Sequence, residues 1–122
     1  MAQSLIAEGF KTYGFDINPD QQARLVAEGG LPAELSNVAT RLDALVVVVL
    51  NAAQTEAVLF GEAGVVPQMT SESVVIACAT VPPAFAREMA VRCAEYGVHY
   101  LDAPISGGAV KAAVGALSVM AS

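Results

Sequence analysis

From Ala44 to Leu50 the chain carries an unbroken apolar run, and Leu45 to Leu50 consists of leucine and valine alone. β-branched side chains suit a pleated strand better than a helix. A run with no polar residue on either alternate face predicts a strand covered on both sides, as in parallel sheets. The run is also far too short to span a bilayer. Ser73 to Ala77 and Val98 to Leu101 read as further strands. Between them lie helical patterns: Gln54 to Phe60, closed by Gly61, and Pro83 to Tyr96, where Phe85, Met89 and Cys93 recur on one face. Strands alternating with helices imply an α/β class built on a parallel sheet.

The N-terminal third extends the pattern. Ala2 to Glu8 reads as the last turns of a helix, with Gly9 as its C-cap. Thr12 to Phe15 then reads as a strand ending at Asp16. Asn18-Pro19-Asp20 opens a helix that runs to about Glu28 and stops at Gly29-Gly30. Leu117 to Met120 reads as a last short strand. In a doubly wound fold the first strand is central, in the order 3-2-1-4-5-6, and a glycine-rich turn follows it. Here the chain starts partway along the helix that should follow that strand, and no G-x-G-x-x-G occurs anywhere. The expectation is an incomplete doubly wound, Rossmann-type parallel sheet that lacks its first strand and glycine-rich loop. Two inner strands would then have unpaired edges, prone to aggregation or to completion by another strand.

Composition narrows the function. At 122 residues, 55% hydrophobic and 15% charged, one domain with a real core is expected. A net charge of -6 with six Lys and Arg argues against a nucleic-acid partner. No basic amphipathic stretch suits a membrane surface, and Met1 to Gly9 lacks the features of a signal peptide. Cys78 and Cys93 lack zinc or redox spacing and read as buried free thiols in a reducing cytoplasm. His99, the only histidine, lies in a predicted strand with nothing nearby to orient it. No metal-ligand cluster, Ser-His-Asp arrangement or carboxylate pair emerges.

The candidate chemistry lies at strand ends. Asp16 stands where dinucleotide-binding folds place an acidic residue that accepts hydrogen bonds from the adenosine ribose and repels a 2′-phosphate, which favours NAD over NADP. The alternative is a helix-capping aspartate in an Asp-x-Asn-Pro turn. Val49, Leu50, Asn51 and Gln54 end the most apolar strand; Asn51 could equally cap the following helix. Thr80 follows the next strand and could cap the helix near Pro82-Pro83 while also facing a ligand. After the last long strand comes Asp102-Ala103-Pro104-Ile105-Ser106-Gly107-Gly108, running on to Gly115-Ala116-Leu117. Gly107 and Gly108 leave backbone N–H groups uncovered, and Ser106 adds a hydroxyl. Such donors suit one carboxylate or phosphate.

This last run, with Leu117-Ser118-Val119-Met120, resembles the substrate-binding signature of the β-hydroxyacid dehydrogenases, the family of 3-hydroxyisobutyrate dehydrogenase. Lys111, Pro104-Ile105 and Met120-Ala121-Ser122 look most like its L-threonate dehydrogenase branch. The resemblance implies an oxidoreductase that passes hydride from a small hydroxy acid to NAD. It implies that Ser106, Gly107 and Gly108 hold the substrate carboxylate, and that Asp16, Val49, Leu50, Gln54 and Thr80 line the cofactor site. Leu50 departs from the family's usual proline, Ala79 from a common serine and Lys111 from a glycine; Lys111 reads as a solvated helix residue. The family's catalytic lysine and its helical, dimer-building domain fall beyond Ser122. Residues 1–122 are therefore expected to be a partial NAD-binding domain, inactive alone, with homo-oligomers expected only of the full-length member. Two other readings remain: a non-catalytic remnant or module completed by another chain, and a 6-phosphogluconate dehydrogenase-like protein, which shares a Ser-Gly-Gly element.

Overall fold

The structure, a computed structural model, describes residues 1–122. In chain order its elements are α1 (Ala2–Ala7), α2 (Pro19–Ala27), α3 (Leu35–Val38), β1 (Ala44–Val47), α4 (Ala52–Phe60), β2 (Val74–Ala77), α5 (Pro83–Ala94), β3 (His99–Asp102), β4 (Ile105–Ser106), α6 (Gly108–Ala113) and β5 (Ser118–Val119). They fall into two compact units. One comprises Met1–Leu35 and Gly107–Leu117; the other comprises Ser36–Ser106 and Ser118–Ser122.

The second unit holds a parallel sheet in the order β1-β2-β3. Its register aligns Val47, Ala77 and Asp102 at the carboxyl ends of the strands. α4 and the chain after it lead from β1 to β2, and α5 leads from β2 to β3, the crossovers that parallel strands require. The apolar spacing of α5 buries Met89 and Cys93 completely, while Phe85 is half-buried. Leu59 of α4, Val75 and Ala77 of β2, and Val65 and Val66 between these elements complete the same core. Cys78 and Cys93 are buried and free, as expected.

One expectation is corrected here. The apolar run after Ala44 is not covered on both faces. β1 is an edge strand and ends at Val47, the one fully buried residue in it. Val48 is 58% exposed and Leu50 85% exposed, because the chain has left the sheet by then. The middle position belongs to β2, where Val75 and Ala77 are buried. Hydrophobicity marks a strand, but its rank in the sheet depends on neighbours distant in sequence.

The first unit packs differently. Every buried apolar residue of the chain lies between Val38 and Ala103, so this unit has none. The strand expected at Thr12 to Phe15 is reduced to a single parallel bridge, Tyr13 to Leu31, with the Leu31 N–H donating to the Thr12 carbonyl at 2.9 Å. Gly14 interrupts it, and the Leu25 side chain fills the space a β-carbon there would need. A glycine with one partner strand gives little to hold a ladder together. Local opening free energies follow burial. Hydrogen exchange is therefore expected to show β2 amides opening only with global unfolding and the Leu31 amide exchanging far sooner. Equal protection of the two would contradict this division of stability.

Burial also sets an alkaline limit. Desolvation pushes the Cys93 thiol up from 9.0 to about 11, against the opposing charge of Arg92. Desolvation, then the Asp102 and Cys93 charges, push Tyr100 up from 10.0 to about 12. Both folded-state pKa values are raised, so the folded state keeps protons that the unfolded chain gives up. The stability tied to these groups is fully present below pH 9 and is lost as pH rises through the window to about 12. Melting temperature should fall steeply across that window, and Cys93→Ala should flatten the lower part of the decline.

Candidate functional site

In the sheet-bearing unit, the candidate residues follow from one geometric fact. The ladder continues one residue past the aligned strand ends. Cys78 N–H donates to the Val47 carbonyl at 2.9 Å, and Ala103 N–H to the Ala77 carbonyl at 2.8 Å. The segments after Val47, Ala77 and Asp102 therefore leave the sheet at its carboxyl end, where open α/β sheets receive ligands. They carry Val49, Leu50 and Gln54, then Thr80, then Ser106.

The first of these segments is locked by a reciprocal cap. Asn51 is the N-cap of α4, its Oδ1 accepting from Gln54 N–H at 2.9 Å. Gln54 Oε1 in turn accepts from Leu50 N–H at 2.8 Å, and the Thr55 hydroxyl donates to the Asn51 carbonyl at 2.9 Å. Since the Leu50 N–H can only donate, the Gln54 amide presents its oxygen inward and leaves Nε2 free to donate. The capping alternative for Asn51 therefore holds. Asn51→Ala is expected to lower stability by about 1 kcal/mol, read as a lower urea midpoint with an unchanged slope; an unchanged midpoint would contradict it.

Thr80 is exposed, and the capping alternative fails for it. The N-cap of α5 is Pro82, which has no side-chain hydrogen bond, and Pro83 opens the helix. Proline's fixed φ and missing N–H start the first turn without a hydroxyl cap. The Thr80 hydroxyl is left without a protein partner.

Asp16, in the other unit, is exposed. Its Oδ1 accepts from Asn18 N–H at 2.9 Å, and Asn18 Oδ1 accepts from Asp20 N–H at 3.0 Å. The N-cap of α2 is thus Asn18 rather than Asp16. Asp16 keeps its second carboxylate oxygen unengaged, and no salt bridge involves it.

Ser106 ends β4, which pairs antiparallel with β5 through Ile105 to Val119 and Ser106 to Ser118. The two glycines that follow take left-handed conformations, φ 132° at Gly107 and 69° at Gly108. A β-carbon on Gly107 would meet Lys111 Cδ at 2.8 Å, Lys111 Cβ at 3.0 Å and Leu117 Cδ2 at 3.3 Å. The position therefore requires glycine on both conformational and steric grounds. Of the packing of Lys111 against Gly107, the sequence shows only their four-residue spacing.

His99 has an orienting partner that the sequence did not reveal. Its Nε2 lies 3.2 Å from Glu72 Oε2, and Glu72, at φ 73°, donates its N–H to the Gly97 carbonyl at 2.9 Å. The pair sits at the amino end of β3, away from the candidate residues. On β3 itself, the Tyr100 hydroxyl and Asp102 Oδ1 are buried without protein partners. No group of three or more His, Cys, Asp or Glu gathers as a metal site. No helix is long and apolar enough to cross a membrane.

Comparison with known proteins places this architecture among dehydrogenases. The family described as the NAD binding domain of 6-phosphogluconate dehydrogenase matches residues 1–122. An L-threonate dehydrogenase from Cupriavidus necator is 45% identical over 123 aligned positions, covering 100% of this chain and 41% of the relative. A 3-hydroxyisobutyrate dehydrogenase from Pseudomonas aeruginosa is 32% identical, covering 97% of this chain and 40% of the relative. The crystal structure of a 3-hydroxyisobutyrate dehydrogenase from Salmonella typhimurium superposes with a TM-score of 0.92 at 43% identity, covering 98% of this chain and 42% of that one. The chain thus spans about two fifths of the length of these relatives. Its parallel sheet and crossover helices are the Rossmann-type α/β architecture expected from the sequence.

Proposed function

The chain belongs to the family described as the NAD binding domain of 6-phosphogluconate dehydrogenase, and from that premise we propose that it carries the dinucleotide and carboxylate sites of a hydroxyacid dehydrogenase. The substrate class is a small acid with a hydroxyl to be oxidised, L-threonate before 3-hydroxyisobutyrate. The observation that supports it best is the Ser106-Gly107-Gly108 turn, with two left-handed glycines and a serine hydroxyl that has no protein partner. The names of the relatives point the same way, with the higher identity in the L-threonate dehydrogenase.

The side chains present fit parts of the cofactor. Asp16 has a free carboxylate oxygen to accept from ribose hydroxyls, and no salt bridge ties a cation to it that would welcome a 2′-phosphate; NAD is therefore the preferred form. The Gln54 Nε2 and the Thr80 hydroxyl are donors without protein partners, and Val49 and Leu50 flank them with backbone and apolar surface. The sequence holds no glycine-rich turn to cradle the pyrophosphate. When bound, NAD supplies the hydride acceptor. The protein's own part is to hold the acid by its carboxylate through Ser106, Gly107 and Gly108, which orients the carbon bearing the hydroxyl.

Proton transfer at that hydroxyl needs a general acid/base, by family resemblance a lysine. The lysines here are Lys11 and Lys111, and by the same resemblance neither corresponds to the catalytic one. We assign residues 1–122 to the NAD-binding domain and expect them to bind without turnover. The helical catalytic and dimer-building domain would correspond to the part of the relatives that the chain does not span. The free thiols Cys78 and Cys93 suit a reducing, cytoplasmic setting.

Calorimetric titration tests the cofactor assignment. NAD should bind about tenfold or more tightly than NADP, roughly 1.4 kcal/mol, and Asp16→Asn should narrow the gap. Equal affinity for the two dinucleotides would overturn the role given to Asp16. A second reading, a module completed by another strand, draws on the unpaired outer edge of β1. It predicts concentration-dependent association in sedimentation; a monomer at every concentration would count against it.

A further inference from the structure

At the first exit from the sheet, the protein spends its own main-chain donors. The Gln54 N–H goes to Asn51 Oδ1 at 2.9 Å. The Leu50 N–H goes to Gln54 Oε1 at 2.8 Å. The Thr55 N–H and hydroxyl both go to the Asn51 carbonyl, at 3.0 Å and 2.9 Å. A phosphate needs several N–H groups that converge and are free. Here Leu50 and Gln54 have already given theirs to side chains, so the turn is a poor phosphate cradle. What it still offers is Gln54 Nε2, a neutral donor on an exposed residue.

An exposed glutamine samples many rotamers, and ordering it on binding costs entropy. In this turn the fold has done the ordering. The amide group is planar, so tying down Oε1 sets the direction of Nε2. The anchor is the Leu50 main chain and not its side chain, which is 85% exposed and holds nothing in place. Both flanks of the anchor are fixed in turn. Three residues before it, the Val47 carbonyl accepts from the Cys78 N–H at 2.9 Å, at the end of the sheet. On the other side, Thr55 is completely buried.

We propose that the Leu50 N–H is a positioning group: by anchoring Gln54 Oε1, it presets Nε2 as the donor this exit gives to a neutral oxygen of a bound dinucleotide, a ribose hydroxyl or a carboxamide. This rests on the dinucleotide reading above and adds to it the atom that does the aiming. Any residue but proline at position 50 can supply the anchor, since proline alone has no N–H. Positions 50 and 54 therefore act on the ligand as one unit.

The test is a double-mutant cycle on NAD binding by the 122-residue chain, read from amide ¹H–¹⁵N shifts. Gln54→Ala removes the donor; Leu50→Pro keeps Gln54 and removes its anchor. Each should weaken NAD by about fivefold, and the pair together by no more than either alone. Leu50→Pro should also collapse the two side-chain Nε2–H signals of Gln54 towards those of a free glutamine. Effects that multiply, to about 25-fold, would overturn the coupling while the dinucleotide reading stands. Should Leu50→Pro disturb the strand end, seen as a moved Cys78 amide, Gln54→Glu decides. It keeps an oxygen for the Leu50 N–H but has no hydrogen to donate, so the Leu50 amide should stay protected while NAD weakens as in Gln54→Ala. Parent-like affinity in Gln54→Glu would overturn the donor role. Inorganic phosphate should leave the Leu50 and Gln54 amides unmoved, and shifts there would contradict the neutral-acceptor assignment. If NAD moves no amide between positions 49 and 54 in the parent chain, the dinucleotide reading of this exit falls, and the anchor with it.

Discussion

Gly107→Ala is expected to abolish measurable binding of a hydroxy acid and to destabilise the fold by about 1–3 kcal/mol. Two independent terms act together. At φ 132° an L-residue is strained whatever the space around it. The added carbon would also sit 2.8 Å from Lys111 Cδ and 3.0 Å from Lys111 Cβ, and the Cβ belongs to the helix and cannot swing away. Relief requires α6 or the turn to move, and the donors of the turn would move with it. Gly108→Ala is the control. Its backbone is also left-handed, at φ 69°, but nothing lies within 4 Å of the added carbon. That variant should lose less stability and keep partial affinity. Thermal melts with amide-shift titrations decide the matter. Equal behaviour of the two variants would remove the steric part of the argument.

Met89→Ala is expected to have the largest effect on folding, about 2–5 kcal/mol in urea unfolding. Met89 is completely buried on α5, in the same core as Leu59, Val75 and Cys93. Truncation leaves a cavity in a small core with no second core to share the load, because the unit of Met1–Leu35 and Gly107–Leu117 buries no apolar side chain fully. Against a typical stability of about 5–15 kcal/mol, that loss takes a large share of the whole. Phe85→Ala, on the same helix but half-buried, should lose less despite removing more atoms. A loss below about 1 kcal/mol at Met89 would mean that the core collapses around the gap.

What the sequence made legible was what repeats locally. The four-residue spacing of α5, the β-branched run that begins in β1 and the Asn-Pro-Asp start of α2 each carry their signal within one turn or one strand. Longer-range facts carried none. The edge position of β1 depends on which strand pairs with which. The loss of a strand at Thr12 to Phe15 depends on Tyr13 finding one rung only, at Leu31. His99 finds Glu72 across 27 positions, beyond any local pattern.

The candidate site divides in the same way. Ser106, Gly107 and Gly108 stood out in the sequence for their uncovered donors and their resemblance to a family signature; that both glycines are left-handed emerges only from the structure. Asp16 and Thr80 each had a competing reading as helix caps. The N-caps themselves are Asn18 and Pro82, although Asp16 does accept from the Asn18 N–H within the turn that opens α2. Gln54 was legible as a residue, but which of its atoms is free depends on the Leu50 N–H. Lys111 is an exposed helix residue, as read, but the sequence could not show its stem lying beside Gly107.

The central proposal is that Asp16, in one unit, and Val49, Leu50, Gln54 and Thr80, in the other, each respond to a nucleotide, and that Ser106, Gly107 and Gly108 respond to an acid. Amide ¹H–¹⁵N correlation spectra of the 122-residue protein, titrated first with NAD and then with L-threonate, test it most directly. The predicted result is two separable sets of shifts: the residues around positions 16, 50, 54 and 80 respond to NAD, and those at 106 to 108 to the acid. Shifts confined to other surfaces, or none from either ligand, would contradict the account.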